Sequence, residues 1–518
     1  MRWFTATVEL RQFLERDRAA SDSRQTIPHQ VGLVPTMGAL HAGHLSLIRR
    51  ARQENQLVVV SIFVNPLQFG PAEDLDRYPE QRDADAALCE QAGVDIIFAP
   101  SVEDMYGRSR PAQPTRVVPP DAMLSPLCGA ARMGHFEGVA TVVLKLFNIV
   151  GPQRAYFGRK DAQQLAILQR MVQDLSCPVT IVPCPTVRAE DGLAISSRNQ
   201  YLTPAERQEA IAIYQALQAA RRQFERGVKA RDSLVQVVQT ALNEVPSIEP
   251  EYIDLVHPRT LEPLSEINHT GLLAIAARIG ETRLIDNIVL CDRRPVIAID
   301  GPAGAGKSTV ARQVAHQLGL LYLDTGAMYR AVTWLVLQKA VPLADEAAIA
   351  ELVRQSTIRL LSPSELGQPT QVWINDQEVT RDIRLTRVAE HVSTIAAQPA
   401  VRQELVKQQQ QYGSKGGIVL DGRDIGTHVF PDAEVKVFLT ASVQERARRR
   451  QADLQRQGQP AASLEDIEQS IYQRDHKDST RAIAPLRKAA DAIEIQTDTL
   501  TVEQVVEQIV NLYRQQTE

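Results

Sequence analysis

Residues 294–309, RPVIAIDGPAGAGKST, combine a short apolar run with a glycine-rich loop. The loop matches the pattern GxxxxGK[ST] from Gly301 to Ser308, in which glycines let backbone N–H groups converge on phosphate oxygens. In such loops the lysine, here Lys307, reaches the β- and γ-phosphates, and the hydroxyl of Ser308 ligates Mg²⁺. The following stretch, TVARQVAHQLG, predicts a helix whose positive end faces the phosphates. Strand, loop and helix together predict an α/β domain that begins near residue 291.

The long segment ahead of this loop has an α/β pattern of its own. Five short apolar runs, four of them rich in β-branched residues, alternate with helical stretches such as HLSLIRRARQEN and DAQQLAILQRMVQDL. The runs are VGLVP, LVVVSIFV, VDIIFAP, RAYFG and VTIVPCPTV. This alternation predicts a parallel sheet with crossover helices over residues 1–186. From residue 187 to 290 we expect a smaller α+β unit, opened by one long helix capped by Thr203. Residues 291–518 form the third predicted domain.

The bulk composition is that of an ordinary globular protein. The 518 residues are 44% hydrophobic and 23% charged, with a net charge of -5, which gives no electrostatic support for a nucleic-acid polymer or a membrane surface as partner. The five cysteines form no CxxC pair, and the N-terminus lacks the apolar core of a signal peptide. We therefore expect a cytoplasmic protein whose partners are small molecules.

Charged and polar residues follow the later strand candidates of the third domain, in LYLDTGAMYRAV, VSTIAAQPAVRQEL, LDGRDIGTHVFPDAEVKVFL and RDHKDSTRAIAPL. A phosphoryl transfer between two nucleotides holds two polyanions in line, so it needs arginines from several loops to neutralise their charge. The candidates for the acceptor site are Asp324, Thr325, Tyr329, Arg330, Ser393, Arg402, Asp421, Arg423, Asp424, Arg474, Asp478 and Arg481.

These motifs resemble bacterial cytidylate kinase over about residues 295–515, because the loop, LDTGAMYRAV, VLDGRDIGT, FPDAEVKVFL and RAIAPL occur in the family's order and spacing. The resemblance implies a P-loop nucleoside monophosphate kinase that transfers the ATP γ-phosphate to CMP or dCMP, with the candidates above around the acceptor. It implies that ATP is bound by Gly301, Gly304, Gly306, Lys307, Ser308 and Thr309. It also assigns an arginine-rich helix to a lid over ATP, with Arg446, Arg448, Arg449 and Arg450, although a charged helix face is usually just exposed to solvent.

Two histidines, His41 and His44, follow the first buried run in PTMGALHAGHLSLIRRA, with Gly43 between them. The stretch then turns helical, so both imidazoles are expected near free N–H groups at a helix N-terminus. Histidines there can donate hydrogen bonds to phosphates as negative charge builds at the transferring phosphorus. A lone histidine at a strand end is usually structural, whereas this closely spaced pair favours a triphosphate site.

Further polar motifs follow later strands, where ligand sites of parallel sheets form. They supply Gln68, Lys160, Asp161, Gln164, Ser196, Ser197 and Arg198. Lysine and arginine beside a histidine pair suit attack on an α-phosphate with pyrophosphate as the leaving group. The glutamines suit a neutral polyol acid better than a second phosphate.

Residues 1–290 resemble pantothenate synthetase (pantoate–β-alanine ligase) in PTMGALHAGH, FVNPLQF, FGRKDAQQ and DGLAISSRNQYL. The resemblance implies a Rossmann-like nucleotidyltransferase domain followed by a small C-terminal domain. It implies two steps: pantoate attacks the ATP α-phosphate to give pantoyl adenylate and pyrophosphate, and β-alanine then displaces AMP to give pantothenate.

The same resemblance assigns residue roles. His44, His41 and Lys160 would be catalytic, and Gln68, Gln164 and Arg132 would bind pantoate or β-alanine. ATP would be lined by Met37, Gly38, Ala39, Leu40, His41, Ala42, Gly43, His44, Gly158, Arg159, Lys160, Asp161, Val187, Ile195, Ser196, Ser197 and Arg198. The family usually has proline at Met133 and an acidic residue at Arg159, and we expect activity to survive because Lys160 and Asp161 are in place.

The leading hypothesis is a bifunctional enzyme with two separate ATP sites, Mg²⁺ accompanying ATP in both, and a possible homodimer through the ligase half. One alternative is a monofunctional pantothenate synthetase whose P-loop domain only senses nucleotide. Another is an adenylyltransferase that moves AMP onto a nucleotide or a phosphate.

Overall fold

A computed structural model describes residues 1–22, 30–70, 75–107, 115–361, 370–456, 463–481, 484–489 and 491–517. The chain divides into two compact units, Met1–Asp292 and Arg293–Glu518. The predicted limits at residues 186 and 290 stay predictions; the second of them lies at the end of the last strand of the first unit.

The first unit contains a six-stranded sheet in which every pairing is parallel. Its strands are β1 (Arg2–Phe4), β2 (Val31–Thr36), β3 (Leu57–Ile62), β4 (Ile96–Phe98), β5 (Arg154–Gly158) and β6 (Thr180–Cys184). All five short apolar runs noted in the sequence form strands. The short edge strand β1 was not predicted, because three residues are too few to show a pattern.

The strand order β1-β4-β3-β2-β5-β6 reverses direction at β2. The chain moves from β2 outward through β3 to β4, and then returns to the other side of β2 to add β5 and β6. The connections after β2 and β5 therefore leave the sheet on opposite sides, which opens a crevice at the carboxyl ends of these two strands.

Helices cover both faces of this sheet: α1 (Thr7–Asp22), α2 (Ala42–Glu54), α3 (Arg82–Gln91), α4 (Val102–Tyr106), α5 (Asp121–Leu124), α6 (Cys128–Ala131), α7 (His135–Val150) and α8 (Ala162–Asp174). Alternate strand residues serve the two faces. Val59 packs in a cluster with Leu14 and Leu146, whereas Val58 and Val60 pack in a cluster with α2 and α3. Burial on both faces explains why the strands read as continuous apolar runs.

The first unit ends in a smaller layer built from α9 (Pro204–Glu209), α10 (Ile211–Glu225), α11 (Arg231–Asn243) and an antiparallel sheet of β7 (Ile248–Val256), β8 (Thr270–Ile279) and β9 (Thr282–Cys291). Thr203 and Glu206 form the capping box that starts α9. The prediction of one long helix is wrong in detail. The helix is interrupted at Ala210. Its carbonyl accepts the N–H of Ile213 at 3.2 Å, an i,i+3 hydrogen bond of the 3₁₀ type.

The second unit has a five-stranded parallel sheet ordered β11-β15-β10-β16-β17 and an antiparallel ribbon β12-β13-β14. The strands are β10 (Arg294–Asp300), β11 (Leu321–Asp324), β12 (Ile358–Leu361), β13 (Gln371–Ile374), β14 (Gln377–Glu378), β15 (Gly416–Gly422), β16 (Val435–Thr440) and β17 (Ile493–Gln496). The helices are α12 (Lys307–Leu318), α13 (Thr325–Gln338), α14 (Glu346–Arg354), α15 (Thr386–Ala397), α16 (Pro399–Tyr412), α17 (Val443–Arg456), α18 (Leu464–Thr480) and α19 (Val502–Thr517).

The glycine-rich loop leaves the central strand β10 and leads directly into α12. Val296 and Ala298 pack on one face of the sheet, and Ile297 and Ile299 pack on the other. The strands predicted as RPVIAIDG, LLYLD, GIVLDG, EVKVFLT and AIEIQTD all form this sheet. The antiparallel ribbon was missed, because its strands of four, four and two residues are too short to show a pattern.

Within the described ranges, no helix is long and apolar enough to span a bilayer.

Candidate active sites

The crevice beside β2 and β5 holds a cavity of about 260 Å³. Most of the residues predicted for the first site line it. They are the ATP candidates Met37, His41, Gly43, His44, Gly158, Lys160, Asp161, Val187, Ile195, Ser196, Ser197 and Arg198, and the pantoate or β-alanine candidates Gln68, Gln164 and Arg132. Gly38, Ala39, Leu40, Ala42 and Arg159 are not among its lining residues, so the structure gives their predicted contact with ATP no support.

The two histidines of this cavity lie at the start of α2. His41 caps the helix, its Nδ1 accepting the N–H of Gly43 at 3.1 Å, which leaves the proton of a neutral ring on Nε2. Its ring stacks on that of His44 with centroids 4.0 Å apart. The Nδ1 atom of His44 is buried and has no hydrogen-bond partner in the part of the chain that the structure describes.

Both imidazoles are held neutral. Burial, and then the charge of Lys160, lower the pKa of His41 to about 4, against a small opposing effect of Asp161. Burial, then His41, then Lys160 lower the pKa of His44 to about 3. A neutral imidazole still carries one N–H group, so each ring can donate a hydrogen bond to a polyphosphate that is also bound by the Lys160 ammonium.

The turn between β2 and the histidines is fixed by Asp85 of α3, a residue that the sequence analysis missed. Its two carboxylate oxygens accept the N–H groups of Ala39 at 2.9 Å and Leu40 at 2.7 Å. These N–H groups are therefore occupied, which explains why this part of the predicted loop does not face the cavity. Burial raises the pKa of Asp85, and the two N–H bonds oppose that rise.

A chain of hydrogen bonds connects the predicted acid-binding residues. Arg132 donates to Nε2 of His135 at 2.9 Å, and Nδ1 of His135 donates to the backbone carbonyl of Gln68 at 2.7 Å. The Gln68 amide oxygen accepts from Asn65 at 3.1 Å. His135, three residues after Arg132 at the start of α7, was not singled out in the sequence, although the spacing of the two in RMGH could have indicated it.

The second site surrounds the loop at the end of β10. A Cβ atom at Gly301 would lie 2.1 Å from the carbonyl oxygen of Leu439, and Gly306 has φ 84°, so these two positions require glycine. Lys307 is buried and donates to the carbonyl of Pro302 at 2.7 Å. Burial and then the charge of Arg423 hold the pKa of Lys307 well below its usual range, against the nearby Asp421 and Asp300.

Asp421, at the end of β15, connects the loop to the next strand. Its carboxylate accepts from the hydroxyls of Ser308 at 2.6 Å and Tyr322 at 2.9 Å, and its backbone carbonyl accepts from Thr325 at 2.6 Å. Burial, and then the charge of Asp324, raise the pKa of Asp421. Asp324 caps α13 and pairs with Arg330 at 3.1 Å.

Five of the remaining acceptor candidates form two ion-pair groups. Asp424 pairs with the buried Arg402 and lies 3.4 Å from Arg481. Burial alone would raise the pKa of Asp424, but Arg402 and Arg481 lower it. In the other group Arg423 pairs with Asp478 at 2.9 Å.

Arg474 and Tyr329 lie among these charged groups. Burial and then Arg423 lower the pKa of Arg474, and the guanidinium of Arg402 lies over the Tyr329 ring at 5.4 Å. Ser393 lies on α15, half-buried. A cluster of arginines this dense is suited to a polyanionic ligand.

The four arginines of α17 do not behave alike. Arg446 is buried, pairs with Asp475 at 2.5 Å and donates to the loop carbonyl of Ala303 at 3.0 Å. Arg449 donates to the carbonyl of Thr497 at 2.6 Å. Arg448 and Arg450 are exposed. Arg446 therefore borders the glycine-rich loop, whereas the exposed pair has the solvated position usual for a charged helix.

Comparison with known proteins assigns both halves. A family model described as pantoate-beta-alanine ligase matches residues 3–289, and one described as cytidylate kinase matches residues 297–515. A protein named bifunctional pantoate ligase/cytidylate kinase from Trichormus variabilis is 58% identical over 99% of both chains. One of the same name from Acaryochloris marina is 56% identical over 98% of this chain and 96% of its own.

Among solved structures, a pantothenate synthetase from Thermus thermophilus is 48% identical, with a TM-score of 0.51. The match covers 56% of this chain and 99% of that one.

Proposed function

The chain belongs to the family of bifunctional pantoate ligase/cytidylate kinases, and we propose how the residues of its two sites carry out the two reactions. It is an enzyme with a pantoate–β-alanine ligase domain and a cytidylate kinase domain, so both resemblances seen in the sequence are confirmed. The first unit condenses pantoate with β-alanine, and the second phosphorylates CMP or dCMP, each with its own ATP.

In the first step of the ligase reaction, a pantoate carboxylate oxygen attacks the α-phosphorus of ATP. A new P–O bond forms, the bond to the β-phosphate oxygen breaks, and pyrophosphate leaves with the electron pair. The neutral rings of His41 and His44, beside the ammonium of Lys160, stabilise the charge that develops on the phosphate oxygens. This stacked neutral pair in the cavity is the observation that carries the proposal.

Pantoate is held on the other side of the cavity by Gln68 and Gln164. The Gln68 backbone carbonyl accepts from His135, which is itself bonded to Arg132, and the Gln68 amide oxygen accepts from Asn65, so the side chain is held in one orientation. Val187, Ile195, Ser196, Ser197 and Arg198 line the cavity. Adenine would lie against Val187, and the phosphates would contact Ser196, Ser197 and Arg198. In the second step, the amine of β-alanine attacks the acyl carbon of pantoyl adenylate, forms the amide bond and releases AMP.

In the kinase unit, an oxygen of the CMP phosphate attacks the γ-phosphorus of ATP and ADP leaves. Lys307 and the loop N–H groups bind the donor phosphates, while Arg330, Arg402, Arg423, Arg474 and Arg481 surround the acceptor. The cluster of arginines is the main support for this assignment. Two nucleotide phosphates repel each other, and positive side chains must neutralise that repulsion to hold them in line. The nucleotide-sensing alternative is disfavoured, because a sensor needs no acceptor pocket.

Mg²⁺ fits the oxygen set beside the loop. The hydroxyl of Ser308 and the carboxylate of Asp421 lie 2.6 Å apart, and hard oxygen ligands suit this ion. Among the described residues no cluster of three or more His, Cys, Asp or Glu side chains could hold a metal by itself, which agrees with an ion bound partly by substrate phosphates. When bound, Mg²⁺ neutralises charge on the transferring phosphates.

Two assays separate these reactions from the alternatives. Pyrophosphate release from ATP should require pantoate, and ADP formation should require CMP or dCMP. Pyrophosphate release driven by a nucleotide or a phosphate instead of pantoate would favour the adenylyltransferase, and absence of CMP-dependent ADP would favour the nucleotide sensor. We also propose a cytoplasmic location and a homodimer through the ligase unit; sedimentation of the purified chain tests the dimer.

A further inference from the structure

Strand β9 of the small antiparallel sheet reaches the ligase cavity. Alternate residues of a strand face opposite sides, and on β9 Leu284 and Leu290 pack into the core beneath α10 and α11. Arg283 and Ile285 face the other way and line the cavity. The small sheet is therefore part of the wall of the ATP site.

Asn287 continues the cavity-facing side of β9. Its side-chain amide donates to two successive backbone carbonyls of the β5–α8 loop, those of Arg159 at 3.1 Å and Lys160 at 2.8 Å. The other end of this loop backbone is fixed to β6, because the N–H of Arg159 donates to the carbonyl of Cys184 at 2.8 Å. One side chain of the small sheet, that of Asn287, thus fixes the backbone of Lys160 and of the residue before it.

The preceding residue, Asp286, points to the opposite face of β9 and supports another part of the cavity wall, through Arg188. It is almost fully buried and forms a two-bonded ion pair with Arg188, at 2.6 and 2.9 Å. Arg188 also donates to the carbonyl of Gly192 at 3.1 Å and lies over the ring of Tyr214. This pair fixes the hairpin whose ends, Val187 and Ile195, line the cavity.

We infer that Asn287 is a positioning residue of the ligase: it fixes the backbone of Arg159 and Lys160 so that the Lys160 ammonium remains beside the histidine pair. The inference rests on the proposed function of Lys160. Asn287 itself touches neither substrate nor reacting atoms in this account. A displacement of about 1 Å in a group that meets a transferring phosphate can cost roughly a hundredfold in rate. The two hydrogen bonds that Asn287 donates, one to Arg159 and one to Lys160, are therefore expected to affect the rate.

The test is a double-mutant cycle on the full-length chain, with pantoate-dependent pyrophosphate release as the assay. Asn287→Ala should lower kcat roughly tenfold to a hundredfold with little change in the KM for pantoate. In a Lys160→Ala background the same substitution should cause no further loss, because Asn287 acts through Lys160. Val289→Ala, on the same face of β9 but exposed, is the matched control and should leave kcat unchanged.

A second readout separates positioning from a general loss of stability. Since the Lys160 charge lowers the pKa of both histidines, its displacement in Asn287→Ala should move the acidic limb of the kcat profile to higher pH. If Asn287→Ala does not fold, Asn287→Ser, which keeps one donor, replaces it in the cycle with a smaller expected loss.

Equal losses from the Asn287 substitution in both backgrounds, or an unchanged kcat, would overturn the inference. Absence of pantoate-dependent pyrophosphate release in the unsubstituted chain would instead overturn the proposed function.

Discussion

The imidazole ring of His41 stacks on that of His44 at a centroid distance of 4.0 Å, in the first turn of α2. Burial is the largest cause that lowers the pKa of His41 to about 4 and that of His44 to about 3, and for His44 the neighbouring His41 lowers it further. We therefore propose that neutral imidazoles act as hydrogen-bond donors in the ligase reaction, and the helix cap on His41 fixes which of its nitrogens carries the proton.

The ligase rate should consequently show no titration of His41 or His44 near pH 6.5. We expect an acidic limb near pH 4, where His41 takes up a proton and disturbs the cap. Because both folded-state pKa values lie below the unfolded value of about 6.5, the unfolded chain binds protons first, so the pair lowers the stability of the first unit progressively as pH falls from about 6.5 to about 3. The pH profile of kcat and denaturant unfolding measure both effects; a limb centred near pH 6.5 would contradict them.

Asp85 should control the shape of the turn that carries the histidines. Asp85→Ala leaves the N–H groups of Ala39 and Leu40 buried without an acceptor, at a cost of about 1–3 kcal/mol for each group. We expect a lower free energy of unfolding of the first unit and weaker ATP binding, measured by denaturation and by the KM for ATP. Asp83→Ala, exposed on the same helix, is the control and should change neither.

The buried pair of Arg402 and Asp424 should be sensitive to loss of either partner. Asp424→Asn leaves Arg402 buried without its counter-charge, which typically costs about 3–5 kcal/mol. We expect destabilisation of the second unit together with loss of CMP turnover, measured by denaturation and ADP formation. Since the pKa of Asp424 is lowered in the folded state, its contribution is present above about pH 4 and is lost as pH falls below that.

An exposed pair provides the contrast. Asp376 is 91% exposed and pairs with Arg359, so Asp376→Asn should change the free energy of unfolding by no more than about 1 kcal/mol. Equal effects of the Asp424 and Asp376 substitutions on the free energy of unfolding would contradict a larger contribution of the buried pair to stability.

The sequence predicted the parts of this molecule that local patterns encode. Both parallel sheets were predicted from runs such as LVVVSIFV and RPVIAIDG. The phosphate loop was predicted from its glycines, and the structure shows that positions 301 and 306 require glycine. Residues that act across long sequence distances were missed. Asp85 and Asn287 are ordinary polar residues on a helix and a strand, and their roles arise only when the fold brings them to Ala39 and to Lys160.

The hydroxyl of Ser308 should be needed for the kinase alone. Ser308→Ala removes the oxygen next to Asp421 and should lower CMP-dependent ADP formation roughly a hundredfold, with partial recovery at higher Mg²⁺ concentration. Ser308→Thr keeps the hydroxyl, fits the loop pattern and should retain most activity. Similar losses in the two variants would contradict a role for the hydroxyl oxygen at the metal.

We propose that this one chain carries two independent ATP sites. The most direct measurement is to assay both reactions on two single variants, Lys307→Ala and His44→Ala, in the full-length protein. Lys307→Ala should lose CMP phosphorylation by about a hundredfold or more and keep pantothenate formation, and His44→Ala should do the reverse. Loss of both activities in either folded single variant would contradict the account.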